Sequence, residues 1–166
     1  CTGVCKYSLT QTSKLYEELS TRLRLLSKWI VASGIISSEG GVHHHFDCLL
    51  QNYSFLYTES TAYFVITLVD LYRHYGDAEY LEKAIDLAKW MFSMKLDDNC
   101  FSWRFDYRRG RENMAFVFDN SICAQSMLRL YETTGDDLYL EQAKNTFDWI
   151  VNEMIRKNGA CRPYLN

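Results

Sequence analysis

The sequence predicts an all-α protein in which helical-hairpin repeats form part of an α/α toroid, with short β-hairpins in the long loops. Three observations support this fold class: an internal repeat, a contrast between apolar and half-polar helices, and long loops with alternating patterns. The 166 residues are 48% apolar and 15% aromatic, which is enough for the core of one domain spanning residues 1–166. The single proline, Pro163, lies outside every predicted helix, as its helix-breaking geometry requires.

The internal repeat fixes the order of the elements, because nine residues recur 59 positions further along the chain. Each copy predicts one helical hairpin, in repeat units of about residues 57–96 and 116–157. Stacked hairpins of this kind bury each other's faces. The matching residues are Leu71, Tyr72, Gly76, Asp77, Tyr80, Leu81, Glu82, Ala84 and Trp90 in the first copy, and Leu130, Tyr131, Gly135, Asp136, Tyr139, Leu140, Glu141, Ala143 and Trp149 in the second.

Within each unit, the first helix is apolar on nearly every side and the second is amphipathic. Residues 61–75 and 122–134 therefore predict buried inner helices, and residues 78–95 and 137–154 predict half-exposed outer helices. Gly76 and Gly135 end the inner helices, and the aspartates that follow cap the outer ones. An earlier amphipathic stretch, residues 12–33, predicts a third outer helix. The predicted inner face of the last helix is Leu140, Ala143, Phe147, Ile150, Val151 and Met154.

Composition excludes several classes of function. The net charge of −3 lacks the basic patch of a nucleic-acid-binding protein, and no apolar run is long enough to span a membrane. Six cysteines without close metal-binding spacing favour a cytoplasmic setting, although the sequon at Asn52 leaves secretion open. Because the second repeat stops at Asn166 without its following loop, we expect either an excerpt of a longer ring or a chain that self-associates. The cysteines are Cys1, Cys5, Cys48, Cys100, Cys123 and Cys161.

The long loops connect each outer helix to the next inner helix, at residues 34–58, 96–120 and from 158 onward. In the second loop, aromatic residues alternate with polar ones over residues 101–108, which predicts a strand, followed by a turn at 108–111 and a returning strand at 114–118. Long loops on a rigid scaffold commonly carry function. We therefore expect the hairpins, and any site, at one end of the molecule.

The inner helices begin at that same end and start with acidic residues. Glu59 lies in the first turn of one and Asp119 in the first turn of the other. One interpretation is that both carboxylates cap their helices, since acids suit the positive end of a helix dipole. The other is catalytic, because glycoside hydrolysis needs two carboxyl groups several ångströms apart and neighbouring helix axes pack about 8–10 Å apart.

The motif at residues 57–63, the repeat unit and the Gly40-Gly41 loop together resemble the six-hairpin glycosidase-like proteins. The resemblance covers roughly residues 28–166, or about two and a half of the six hairpins of such an (α/α)6 toroid. These toroids include glycoside hydrolases, unsaturated uronyl hydrolases, sugar epimerases and some polysaccharide lyases. The resemblance implies a carbohydrate ligand, with no cofactor or metal indicated.

By this resemblance, the candidate site residues fall into two groups. Glu59, Asp119 and Asp106 are the catalytic candidates, with Asp47 as an alternative to Asp106. Aromatic rings stack on sugar faces, and arginine binds the carboxylate of an acidic sugar. The predicted substrate-binding residues are Trp103, Arg104, Tyr107, His44, Asn120 and Arg108.

Two other functions remain open at the level of sequence. One is a non-catalytic helical-repeat module that binds a protein or a glycan, in which the aromatic strand packs on the scaffold and the arginines are solvated. The other is a sugar epimerase on the same fold, which would use one of His43, His44 and His45 or a tyrosine as base. The leading interpretation is glycoside hydrolase-like acid–base chemistry on a sugar, including an acidic one.

Overall fold

The structure, a computed structural model, describes residues 9–97 and 99–165 and divides into two compact units, residues 1–34 and 35–166. The first unit contains α1 (Leu9–Ala32), which confirms the helix predicted there. Its role as a third outer helix and the organisation of the chain as a single domain stay predictions. Cys1 and Cys5 lie outside the described residues. The remaining cysteines, Cys48, Cys100, Cys123 and Cys161, carry free thiols. No described helix is long and apolar enough to cross a membrane.

The second unit contains both predicted hairpins. They are α2 (Thr58–Tyr75) with α3 (Ala78–Ser93), and α4 (Val117–Thr134) with α5 (Asp137–Trp149). The inner helices α2 and α4 pack against each other, and each carries its outer helix, α3 or α5. The two-layer prediction is therefore confirmed, although the inner helices begin three to five residues earlier than the sequence indicated.

The turns between inner and outer helices follow the predicted chemistry. Gly76 and Gly135 adopt left-handed φ angles of 72° and 71°, which glycine reaches without strain. The Asp77 carboxylate then accepts a hydrogen bond from Glu79 N at 3.1 Å, and Asp136 accepts one from Leu138 N at 3.0 Å. Each aspartate thus pairs a free N–H group at the start of its outer helix.

Within the described residues, seven short strands form three antiparallel sheets, β1 with β2, β3 with β4 and β5, and β6 with β7. The predicted strand in the second loop is confirmed, but its returning partner is β5 rather than residues 114–118. Residues 115–116 instead form β6, which pairs with β7 of the third loop. The strands are β1 (Phe46–Asp47), β2 (Asn52–Tyr53), β3 (Leu56–Tyr57), β4 (Arg104–Asp106), β5 (Gly110–Arg111), β6 (Ala115–Phe116) and β7 (Tyr164–Leu165).

The repeat extends into the loops with one inserted residue. Isolated bridges join Ile36 to Val42, Lys95 to Phe101 and Ile155 to Cys161, so the loop positions advance by 59 residues and then by 60. A π-helical turn, Ile150–Met154, follows α5 where the extra residue falls. Because π turns accommodate single-residue insertions in a helix, this turn keeps the third loop in register with the first two.

The inner face predicted for the last helix is confirmed in part, since Ala143 and Met154 are buried and Leu140 and Ile150 are half-buried. Phe147 is 61% exposed and Val151 is 42% exposed, although both are strongly apolar. Three buried side chains of α5, Tyr139, Ala143 and Trp149, match the buried Tyr80, Ala84 and Trp90 of α3. Phe147 departs from the repeat as well as from its hydropathy, because its counterpart Ala88 is fully buried.

The repeated tryptophan supports the loop that precedes its hairpin. A Cβ atom on Gly41 would lie 2.5 Å from Cε2 and 2.7 Å from Cζ2 of Trp90, so the loop backbone rests directly on the indole. In the second copy, Cys100 occupies the corresponding loop position and packs in a cluster with Trp149. Each tryptophan thus packs directly beneath the long loop that belongs to its repeat.

Gly41→Ala is expected to lower the free energy of unfolding by about 2–3 kcal/mol, because the new methyl group overlaps the Trp90 ring. Urea denaturation measures the effect. Gly76→Ala is the control: its Cβ would meet nothing within 4 Å and only the left-handed φ is strained, for a loss of about 1 kcal/mol. Equal losses for the two variants would contradict close packing at Gly41.

Candidate active site

The two acids predicted as catalytic lie in equivalent first turns but at different positions within them. Glu59 is the second residue of α2 and Asp119 is the third residue of α4. In the register of the repeat, Glu59 corresponds to Phe118 and Asp119 to Ser60. Successive helical residues point about 100° apart. The acids are therefore an asymmetric pair rather than a repeated feature of the hairpin.

Neither acid is the N-cap of its helix. The N-cap residues are Tyr57 and Phe116, and neither side chain makes a capping hydrogen bond. Instead, the first N–H group of α2 donates to the carbonyl of Trp103, and that of α4 donates to Pro163. The backbone of the neighbouring loop thus pairs the first N–H group of each inner helix.

Asp119 is the strongly perturbed group of the site. Its residue is only 4% exposed, and burial together with the negative charge of Glu59 raises the pKa of Asp119 to about 6. Within the described part of the chain, its Oδ2 atom has no hydrogen-bond partner. A buried carboxyl group held partly protonated near neutral pH has the properties of a general acid.

Tyr57 lies close enough to both carboxyl groups for each to act on it electrostatically. Burial, and then the influence of Glu59 and Asp119, strongly raise the pKa of Tyr57. Tyr57 in turn lowers the pKa of Asp119, against the larger effect of burial. Tyr57 was not among the residues predicted from the sequence.

Aromatic rings surround this acidic pair. The Tyr57 ring lies edge-on to Trp103 at 6.1 Å, to Phe55 at 6.0 Å and to His44 at 5.0 Å between centroids. Trp103 also contacts Phe116, the counterpart of Tyr57 in the second repeat, at 5.6 Å. These rings form an aromatic wall of the kind on which the apolar faces of sugars stack.

Arg104 extends this wall with a positive charge. Its guanidinium carbon lies 4.5 Å from the Trp103 ring centroid and 4.9 Å from that of Phe55. One terminal nitrogen forms a 3.1 Å ion pair with Glu112, another residue that sequence reasoning missed. The partly buried Arg104 is thereby held rigidly over the aromatic rings.

Three buried polar atoms of this cluster lack a partner among residues 9–97 and 99–165: Trp103 Nε1, Arg104 Nε and Asp119 Oδ2. Two are hydrogen-bond donors and the third is a carboxyl oxygen. Buried polar groups are nearly always paired in native proteins. Neighbouring residues that together leave donors and an acceptor open have the pattern of a site for a polar, hydroxyl-rich ligand.

His44 also belongs to this site. It stacks on Phe55 at 5.2 Å, and Glu59 lies near enough to act on it electrostatically. Partial burial, and then the neighbouring His45, lower the pKa of His44, whereas Glu59 acts in the opposite direction. His44 is therefore mostly neutral at pH 7, so it can accept a proton or a hydrogen bond.

The other predicted residues lie beside this site, in a cleft of about 290 Å³ between the hairpins of the first two loops. Asp106, Tyr107 and Arg108 line the cleft, and Phe55 forms part of its wall as well as contacting Trp103. The Asp106 carboxylate accepts a hydrogen bond from its neighbour, Arg108 N, at 2.8 Å. Asp106 is thus placed next to the acid pair rather than within it, and Asp47 lines the same cleft.

Asn120 is buried, and its side-chain amide bonds to the backbone. Its residue is fully buried, and its amide is committed to the backbone of the second loop and of β6. Oδ1 accepts from Phe101 N at 2.8 Å, and Nδ2 donates to the carbonyl oxygens of Phe101 and Phe116 at 3.1 and 2.9 Å. This arrangement supports a structural role that holds the Trp103 loop against α4.

No group of three or more His, Cys, Asp or Glu side chains in the described ranges is arranged to hold a metal ion. The site brings together a buried acid, a second carboxyl group, a tyrosine hydroxyl and a mostly neutral histidine. Together with the aromatic and cationic wall, these groups suit proton transfer to and from a bound saccharide.

Comparison with known proteins gives a family and a fold. The family model of Glycosyl Hydrolase Family 88 matches residues 43–162, which include the acid pair, the aromatic wall and the cleft. No curated protein sequence is significantly similar to the chain.

Solved structures of similar fold include two epimerases. A sugar epimerase from a ruminal bacterium matches with a TM-score of 0.76 at 14% sequence identity. The matched region covers 90% of this chain and 40% of the epimerase chain. Cellobiose 2-epimerase from Bacillus thermoamylovorans has a TM-score of 0.79 at 17% identity, with coverage of 93% and 41%. These structures establish the α/α toroid fold, of which the chain is a part.

A glycoside hydrolase is similar as well. The GH76 α-mannanase of Bacteroides thetaiotaomicron matches with a TM-score of 0.64 at 25% sequence identity. The matched region covers 74% of this chain and 35% of the mannanase chain. The chain spans between about a third and two fifths of the length of these three structures.

Proposed function

Because the chain belongs to Glycosyl Hydrolase Family 88, we propose that it carries out acid–base chemistry on a saccharide, with hydrolysis of a glycosidic bond as the reaction. The observation that carries the proposal is the buried Asp119, with a pKa of about 6, coupled to Glu59 at the edge of an aromatic wall. Asp119 donates the proton to the departing oxygen. Glu59, on the neighbouring inner helix, is the complementary base.

The open polar atoms support a saccharide as the ligand. Trp103 Nε1 and Arg104 Nε are buried donors without partners in the described residues, and sugar hydroxyl and ring oxygens accept hydrogen bonds. A sugar hydroxyl at the edge of the indole would accept a hydrogen bond from Trp103 Nε1–H, which points outward in the plane of the ring. The positive charge of Arg104 additionally favours an acidic sugar, although Glu112 already neutralises part of it.

The adjoining cleft supports a ligand larger than one sugar. Asp106, Tyr107 and Arg108 line it with polar groups and an aromatic ring, and Phe55 belongs to both the cleft wall and the site. We therefore assign these residues to binding of the remaining part of the saccharide rather than to proton transfer.

Glu59→Gln is expected to reduce hydrolysis by about 10²-fold, because the amide cannot act as a base. Release of reducing sugar from neutral and uronate-containing oligosaccharides measures turnover in the purified protein. Glu79→Gln, an exposed first-turn glutamate on α3, is the matched control and should retain activity. Unchanged turnover by Glu59→Gln would remove Glu59 from the mechanism.

Epimerisation is the second candidate, because the largely neutral His44 lies beside Glu59 as a second base. NMR of the product distinguishes the two reactions: hydrolysis separates the sugar units, whereas epimerisation keeps the linkage and inverts one ring carbon. A product with an intact linkage would overturn hydrolysis in favour of epimerisation. If Asp119 titrates with an unperturbed pKa and no sugar is turned over, the chain is a binding module.

A further inference from the structure

The second hairpin exposes four large apolar side chains on α4 and in the last helical turns. Phe118 and Leu128 of α4 are 59% and 42% exposed, and Phe147 and Val151 are 61% and 42% exposed. We call these four residues the leading face. Exposed apolar side chains that cluster on one side of a protein commonly mark an interaction surface.

The repeat indicates what the leading face is for, because the first hairpin carries the same positions in a covered form. Val69 on α2 and Ala88 on α3 are fully buried, whereas their counterparts Leu128 and Phe147 are exposed. The first hairpin has the second packed against it through α2 and α4. Among residues 9–97 and 99–165, α2 is the only other inner helix, so the equivalent side of the second hairpin is open.

A ring contact shows how one hairpin engages the next. Phe92 of α3 stacks on Tyr139 of α5, with 6.2 Å between ring centroids and 11° between ring planes. Val151 is the counterpart of Phe92 and is exposed. The leading face therefore consists of the positions through which one hairpin packs on another, and the surface that fits it is a hairpin of the same repeat.

The chain itself carries the complementary surface, on the opposite side of α2. Ser126 of α4 is fully buried and Ile122 is half-buried, whereas their counterparts on α2, Thr67 and Tyr63, are exposed. We call the exposed side of α2 at Tyr63 and Thr67 the trailing edge. Because these positions match the side of α4 that is covered within the chain, a second copy can present its trailing edge to the leading face.

Charges at one end of this interface match as well. Arg73 of α2 donates to Thr133 Oγ1 at 3.0 Å and to Glu132 Oε2 at 3.3 Å on α4. In the register of the repeat, Glu132 corresponds to Arg73, and Thr133 to His74. The same contact made between two copies places the Glu132 carboxylate beside His74 and Arg73 of the second copy. Acidic and basic groups thus meet at this contact rather than like charges.

We propose that the leading face of one chain binds the trailing edge of a second copy, so that copies associate in the way that the two hairpins stack within the chain. Because the two surfaces differ, this interface is heterologous, and each added copy presents a further leading face. The contact covers the apolar side chains that the second hairpin leaves in water. It is independent of the proposed function, because neither surface contains a residue assigned to the reaction.

The test is sedimentation equilibrium at about 0.1 mM chain, where an association of micromolar affinity is saturated. The wild-type protein is expected to have a mass well above the 19.5 kDa of one chain. Leu128→Arg places a charge in the leading face and Thr67→Arg places one in the trailing edge. Each should raise the Kd of association by about 100-fold or more, because the charge is buried without a partner.

Leu138→Arg is the matched control, because Leu138 is 53% exposed on α5 and its counterpart Glu79 is exposed as well. It should associate like the wild type. Phe147→Arg, at the most exposed residue of the leading face, is a second variant in case Leu128→Arg does not fold, and circular dichroism measures the helix content of each. A monomeric wild-type protein would overturn the proposal, as would equal association by Leu138→Arg and the folded leading-face variants.

Mixing the two kinds of variant tests the head-to-tail geometry. A leading-face variant keeps its trailing edge, and Thr67→Arg keeps its leading face. An equimolar mixture of two variants that are monomeric alone should therefore form a heterodimer of twice the chain mass, which cannot extend further. A mixture that stays monomeric while the wild type associates would overturn the head-to-tail interface, because two copies related by a two-fold axis give that result.

Discussion

Asp119→Asn is expected to abolish catalysis and to stabilise the protein above neutral pH. The loss of the general acid should lower kcat/KM by about 10³- to 10⁴-fold. The gain in stability follows from linkage: the pKa of Asp119 is about 6 when folded and 3.8 when unperturbed, so the folded state binds the proton more tightly. Wild-type stability therefore falls as the pH rises from about 4 through 6, by about 3 kcal/mol in total.

The neutral amide of Asp119→Asn does not ionise and escapes this loss. The variant's advantage over the wild type should therefore be about 2 kcal/mol larger at pH 7.5 than at pH 4, because part of the roughly 3 kcal/mol is already lost at pH 4; urea denaturation at both pH values measures it. Asp136→Asn is the matched control, because it replaces an exposed helix cap by an equally good one and should change stability little at either pH. A difference that does not depend on pH would show that Asp119 is not perturbed.

This opposition between stability and activity is expected at a built active site. A buried carboxylate beside a second negative charge is unfavourable for folding, and the surrounding structure must overcome that cost. In this protein the supporting structure is the two-layer packing of α2 and α4, whose first turns hold Glu59 and Asp119 side by side. The same carboxyl group in water would be ionised at pH 6 and could not donate a proton.

The sequence predicted the fold well wherever the repeat applied. The hairpins, their glycine and aspartate turns and their two-layer packing all follow from residues matched at a spacing of 59. Neither hydropathy nor the repeat predicted the exposure of Phe147 on α5, because it is apolar and its counterpart Ala88 is buried. Strand pairing between different loops was also missed, because two-residue strands have too few positions for a period to be read.

The candidate site was predictable in part. Glu59, Asp119, Trp103, Arg104 and His44 were named from the sequence, and the structure places them together, whereas their roles stay proposals.

Tyr57 and Glu112 were missed for a physical reason. Each acts through a partner distant in sequence: Tyr57 through Asp119 and Glu112 through Arg104 across a hairpin. A signal for Tyr57 was nevertheless present, since a tyrosine replaces the phenylalanine of the matching repeat position.

Asn120→Ala is expected to lower the free energy of unfolding by about 3 kcal/mol, because the N–H group of Phe101 and the carbonyl groups of Phe101 and Phe116 each lose a hydrogen bond. The matching position of the first repeat suggests a substitution that restores part of this loss. Thr61, at the matching position of α2, accepts from Val42 N at 3.0 Å and donates to the carbonyl of Tyr57 at 2.8 Å. Asn120→Thr should thus restore two of the three bonds and lose only about 1 kcal/mol.

Urea denaturation compares both variants with Ser121→Ala, an exposed neighbour whose hydroxyl bonds only within its own helix and whose loss should have little effect. Activity decides between the two roles of Asn120. If the role of Asn120 is structural, the Asn120→Thr variant should turn over sugar in proportion to the fraction of the variant that is folded. A folded Asn120→Thr protein with a raised KM would instead restore Asn120 to the substrate-binding set, since threonine could hold the loop yet not reproduce the amide's contacts with a sugar.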